Sequence, residues 1–237
     1  MTTKKILLPI FISFLMGCSQ AGLDGFDGRS LMAISSSMPI SCKFEKINNQ
    51  NKLNENSFWY LFRKENRVES RDERTQQGQI WEKDSKGKIT MTHLFYKEKV
   101  ALEYSSGDLA ATGKDIDWNK VWSVINPEKL PKDFSLNKSE TIKGVRRISY
   151  SSPLGTVVWL PDLLVPAEIS VSEEGGYSEH LILKSCEPMQ VAKLAYGPTT
   201  DIELRQYRHL DFSDLGDMET DPQVKKIEAL MGGHEHH

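Results

Sequence analysis

Three histidines stand together at the end of the chain, in the tail "GGHEHH": His234, His236 and His237. Imidazole is the commonest metal ligand, and close histidines on a polar tail can capture Cu2+, Ni2+ or Zn2+. The interrupted spacing is not that of a purification tag. Such a tail gives weak, unselective metal binding, and a solvated end with chance histidines explains it as well. His209 in "YRHLDF" could join the set, although nothing requires it. The stretch "DFSDLGDMETD" offers Asp211, Asp214, Asp217, Glu219 and Asp221. It lacks the acid-x-acid-x-acid-Gly order of an EF-hand loop. Its last acids are expected at the N-terminus of a helix, where the dipole favours them. "RVESRDERTQQ" interleaves Arg67, Glu69, Arg71, Asp72, Glu73 and Arg74. On a strand, Arg67, Glu69 and Arg71 share a face and can pair. A glycosidase would need two carboxylates across a cleft; opposite charges side by side read instead as a solvated strand face.

No nucleophile comes with a recognisable base. G-x-S-x-G, H-E-x-x-H, a P-loop and G-x-G-x-x-G are all missing. The expectation is a protein that is not an enzyme and has no resident cofactor. A net charge of −3 withholds the electrostatic support that nucleic-acid binding needs. With 38% hydrophobic and 27% charged residues, the composition is that of an ordinary globular chain.

The N-terminus has its own logic. "MTTKKILLPIFISFLMGC" has two lysines, an apolar run from Ile6 to Met16, and the small Gly17 before Cys18. The run is well short of the roughly 20 residues that span a bilayer, and the layout is that of a signal peptide. The stretch resembles the lipobox of bacterial lipoproteins, with Leu15 three residues before the cysteine and Gly17 directly before it; Met16 is an unusual middle residue. The resemblance implies cleavage before Cys18, diacylglycerol on its sulfur and acylation (palmitate or similar) of the new amino group. Ser19, where a retention signal would have Asp, implies the outer membrane, with the protein facing the periplasm. Acyl chains contribute roughly 0.8 kcal/mol per buried CH2, so several anchor durably.

Two cysteines remain, Cys42 and Cys186. An even number in an oxidising compartment suggests a disulfide, worth about 4 to 5 kcal/mol by loop entropy; two separate buried thiols are the alternative. No CxxC indicates redox or zinc chemistry.

These readings need elements to carry them. Residues 1–17 read as the signal peptide and 18–40, rich in Gly, Ser and Asp, as a tether. Residues 41–200 read as the β domain, and 201–237 as a C-terminal segment with a short helix and the histidine tail. "SFWYLFRK", "NRVESRDE", "GQIWEKD", "KITMTHLFY" and "KVALEYS" form five strands of an antiparallel meander, with turns at Glu65-Asn66 and Gly87. "DIDWNKVWSVINP" suits one amphipathic helix, capped near Asp115 and stopped before Pro127. Strands resume with "SETIKG", "VRRISYSS", "GTVVWLPD", "AEISVSEEGG" and "SEHLILKS", the last two joined by a turn at Gly175-Gly176. "DPQVKKIEALMGG" is a helix with Pro222 in its first turn. The fold class is therefore mainly β (α+β): a curved antiparallel sheet, or half-open barrel, wrapping a helix. A closed barrel or a two-sheet sandwich competes with it.

The late hairpin, with Trp159, Leu160, Asp162, Pro166 and Gly175-Gly176, resembles that of the outer-membrane lipoprotein carrier and receptor proteins (LolA/LolB-like). It is similar too to the matching domain of a periplasmic anti-sigma-factor regulator of that fold. Pro161 is an insertion, and Val165 stands where Leu is usual. The resemblance spans residues 40 to 195 and implies a half-open barrel whose apolar cavity is lidded by helix. Trp59, Trp81, Trp118, Trp122 and Trp159 would line that cavity and meet a lipid or acylated-protein ligand. The alternative function is a metal-handling accessory lipoprotein using the histidine tail.

Overall fold

The computed structural model describes residues 37–48, 57–113, 116–172, 178–192 and 194–232. Cys18, the signal peptide, Asp115, Gly175-Gly176 and the tail histidines lie outside the described residues. Among those described, no helix is long and apolar enough to cross a membrane.

Twelve strands form one curved, unclosed sheet in the order β12-β6-β5-β4-β3-β2-β1-β11-β10-β9-β8-β7. The first, β1 (Ile40–Asn48), lies at its centre between β2 (Ser57–Lys64) and β11 (Ser178–Pro188). From β2 the chain runs outwards as the expected meander: β3 (Arg67–Asp72), β4 (Gln77–Lys83), β5 (Ile89–Phe95) and β6 (Val100–Tyr104). A second meander, β7 (Ser135–Ile142), β8 (Val145–Ser152), β9 (Gly155–Leu160) and β10 (Val165–Ser172), returns from the opposite edge to β11. All neighbouring pairs within both meanders are antiparallel.

This order dictates where the helices go. The segment from β6 to β7 must cross from one edge of the sheet to the other. It does so through α1 (Ser106–Ala111), α2 (Trp118–Ser123) and α3 (Leu130–Asp133). Of these, α1 and α2 cover the inner face, while α3 packs in a separate cluster. The largest core cluster lies on the inner face: Phe44, Leu61, Val68, Leu160 and Leu183 among others, with Trp118, Val121, Trp122 and Val124 packed against them. The single helix expected over 115–127 is in fact shorter. Asp117, not Asp115, caps α2, accepting from the backbone N–H groups of Asn119 and Lys120. Val124 ends it at φ 69°, a conformation costly for a β-branched residue.

The C-terminal part closes the other edge. After β11 the chain crosses the opposite, back face and reaches α4 (Asp201–Leu204). It then adds β12 (Arg208–Asp211) parallel to β6. A 3-10 helix (Phe212–Met218) and α5 (Pro222–Gly232) turn back onto the inner face. There Leu215, Val224 and Ile227 join Met91, Phe95, Leu102 and Leu109 in a second cluster. Of the acids expected at the start of this helix, Asp221 does the capping. It accepts from the backbone N–H groups of Gln223 and Val224, and the Arg208 guanidinium holds its carboxyl down at about 2.

Candidate functional site

The inner face is built by strand alternation. Trp59, Leu61 and Arg63 occupy every second position of β2 and point the same way. Trp59 sits opposite Phe44 of β1, ring centroids 5.3 Å apart. Cys42, one alternation from Phe44, faces Cys186 of β11 across the ladder, and the two form a disulfide. Trp81 of β4 is paired with Val68 on one side and Met91 on the other, so it bridges the two core clusters. Its indole N–H donates to Gln79 Oε1 at 3.1 Å. From above, α2 adds Trp118 and Trp122, one helical turn apart with centroids at 6.1 Å. All four of these tryptophans are half-buried.

Trp159 does not join them. It belongs to a separate cluster with Leu130 and Val157, beneath Ile125 and Phe134. Pairing with β8 and β10 turns it towards the 125–134 segment, while its neighbour Leu160 faces the main core. The cavity set read from the sequence is thus four tryptophans in one place and one in another.

One residue that the sequence reading passed over joins these parts. Arg63 is 0% exposed, with no carboxylate among its partners. Its guanidinium donates to three main-chain oxygens: Trp122 O at 3.1 Å, Leu164 O at 3.1 Å and Leu163 O at 2.6 Å. It also lies 4.8 Å from the Trp122 ring centre. Burial pulls its pKa down to about 10, so it stays charged at neutral pH. Arg63 therefore latches the helix lid and the β9–β10 turn to β2, and takes the Trp122 carbonyl that a longer helix would have used. Its parity with Trp59 and Leu61 was the available signal. A recess of about 500 Å3 opens beside this lid, lined by Ile89, Leu109, Ala110 and Ile116.

The arginine–glutamate strand β3 is not the solvated face expected. Glu69 is 1% exposed, because residues 195–207 cover the back of the sheet. It accepts from the backbone N–H and the hydroxyl of Thr199, and Arg67 lies 3.4 Å away. Burial raises its pKa against those hydrogen bonds. His209 is bound on both ring nitrogens, Nδ1 to Glu103 and Nε2 to Leu204 O, so it is not free to complete a metal site. No group of three or more metal-ligating side chains occurs among the described residues.

No protein-family model matches this chain, and no curated protein does. Among solved structures it is similar to PNGF-II, at 10% identity and TM-score 0.38 over 80% of this chain. The chain spans about a third of PNGF-II, 33% of its length. It is similar to a LolA superfamily protein from Nitrosomonas europaea, at 5% identity and TM-score 0.25, over 65% of this chain and 94% of that one. A DUF1329 family protein from Desulfovibrio piger is similar at 8% identity and TM-score 0.32, over 70% and 91%. These likenesses are too loose to carry an argument about activity, which rests on the geometry above.

Proposed function

We propose that this protein is a lipid-anchored binding module, not an enzyme, that holds an apolar ligand on its inner face beneath α2. The ligand class is an acyl chain, of a lipid or of an acylated protein. The carrying observation is the Arg63 latch. A lid fastened by a guanidinium to main-chain carbonyls can release and refasten without breaking an ion pair, and half-buried tryptophans meet across it, Trp118 and Trp122 from the lid and Trp59 and Trp81 from the sheet. Burial of apolar surface there, at about 25 cal/mol per Å2, supplies the affinity. The anchor is Cys18, cleaved and acylated, which places the domain at the periplasmic side of the outer membrane.

The test is quenching of tryptophan fluorescence by a brominated fatty acid, using the mature chain with Cys18→Ser. Saturable quenching is expected, weakened by Trp122→Ala and Trp59→Ala. Arg63→Met should speed ligand entry, because the lid loses its fastening. If neither the parent nor Arg63→Met is quenched, the inner-face reading fails. Intact mass of the membrane-extracted protein tests the anchor separately, since an unmodified thiol at Cys18 would remove it.

A further inference from the structure

The back face carries a second site that owes nothing to the tryptophans. Where residues 195–207 pass over β3 and the β5–β6 turn, a cleft of about 930 Å3 remains, within the range of small-molecule sites. Arg71 lies in it, its guanidinium stacked between two rings, 4.0 Å from the centre of Tyr96 and 3.7 Å from that of Tyr196. Both faces of the guanidinium are therefore occupied, and only its N–H edge is left for hydrogen bonding. Its Nε is buried without a partner, and none of its N–H groups meets an acceptor among the described residues. The part of the guanidinium that lines the cleft is therefore open to an acceptor brought from outside.

The rest of the cleft points to the charge of that acceptor. Lys97 and Lys99 stand on its rim, neither in an ion pair among the described residues, and Lys99 lies 4.7 Å from the Tyr207 ring centre. Glu203, the acid in the lining, has its pKa lowered chiefly by Thr200, with smaller contributions from Lys99 and Arg71, and buried Glu69 sits behind Thr199. Glu203 closes the capping box of Thr200, and Glu73 accepts from the Tyr196 hydroxyl. Three cations, Arg71, Lys97 and Lys99, and one acid, Glu203, line the cleft, and with its tyrosine walls this suits an oxyanion carried on a ring. A stacked guanidinium fork binds carboxylate or phosphate edge-on, and flat tyrosine faces receive the apolar face of a sugar ring.

We propose that the cleft between the 195–207 segment, strand β3 and the β5–β6 turn binds a sugar bearing a phosphate or carboxylate, with Arg71 as the anchoring donor. The sugar can arrive free in solution or as part of a lipid headgroup, and the experiment separates the two. Isothermal titration of the full mature chain would use glucose 1-phosphate and glucuronate, with neutral glucose as the control. Flotation with phosphatidylinositol vesicles, against phosphatidylcholine, gives the lipid arm. Saturable binding of at least one charged probe is expected, weakened at least tenfold by Arg71→Met, several-fold by Lys99→Ala, and by added salt. It should be unchanged in Trp122→Ala, which alters only the inner face. Arg71→Lys, which keeps the charge but not the planar fork, should lose most of the affinity while retaining the parent's melting temperature. Vesicle binding that depends on Arg71, without binding of the free sugars, assigns the headgroup as the source. Binding by none of the charged probes, or affinity unmoved in both Arg71 variants, overturns the proposal.

Discussion

Arg63 and Arg71 show how one residue type acquires different uses from its surroundings. Arg63 donates to three carbonyls from its two terminal nitrogens and meets no solvent, although its Nε has no partner, so it is a fastening. Arg71 has aromatic walls and no acceptor, so it awaits one. His209 belongs to a third category, a titrating tie. Its two nitrogens face a carboxylate and a carbonyl, both acceptors, so only the protonated ring satisfies both and the imidazolium is favoured. The hydrogen bond to Glu103 is the chief reason its pKa is raised above the ordinary value near 6.5. A raised folded-state pKa stabilises the fold fully below the unfolded value and loses that contribution as pH climbs through the folded one. His209→Ala should therefore lower the melting temperature most at pH 6 and progressively less towards pH 9. Equal losses at both ends would show that the tie carries no charge.

At the scale of elements, the sheet fixes what its covering segments may do. On the back face, Gly78 leaves room for the Tyr96 ring: a Cβ there would lie 2.4 Å from the tyrosine hydroxyl and 2.6 Å from Ser70 O. The backbone of β3 cannot yield, so the ring must. Gly78→Ala should cost about 3 kcal/mol in urea unfolding, the upper end for overpacking, and should also weaken any ligand of the Arg71 cleft. On the inner face, α2 is short because Arg63 captures one carbonyl of its last turn, Trp122 O, and Val124 turns the chain aside. Its stability comes from the tryptophans pressed on the core, as expected for a helix too short to persist alone.

At the scale of the molecule, two meanders are stitched at β1. Cys42 and Cys186 close this seam across 144 residues of sequence. The loop-entropy model assigns such a closure about 4 to 5 kcal/mol. Cys42→Ser with Cys186→Ser should lower the urea midpoint and raise the unfolding slope, because the unfolded chain without the cross-link is more expanded. Unaltered stability would mean that the long hydrogen-bonded pairing of β1 with β11 holds the halves together by itself.

Much of the architecture was legible. Strand alternation in β2 to β6 and in β7 to β11 is a period-two signal set by the backbone, and it gave both meanders and the mainly β class, with turn residues marking Glu65-Asn66 and Gly87. Cysteine count indicated the disulfide, and Pro222 marked the last helix. By itself the sequence could not place β1 at the centre or find the four-residue β12, since pairing with distant strands, not local pattern, makes them strands. Nor could it tell that β3 would be covered on its back, turning Glu69 from a solvated charge into a buried one, or that Trp159 would part from the other tryptophans. Local periodicity determines which way a side chain points; only the crossing of the sheet by the 105–134 and 189–207 segments decided what it meets there, because burial is a property of contacts remote in the chain.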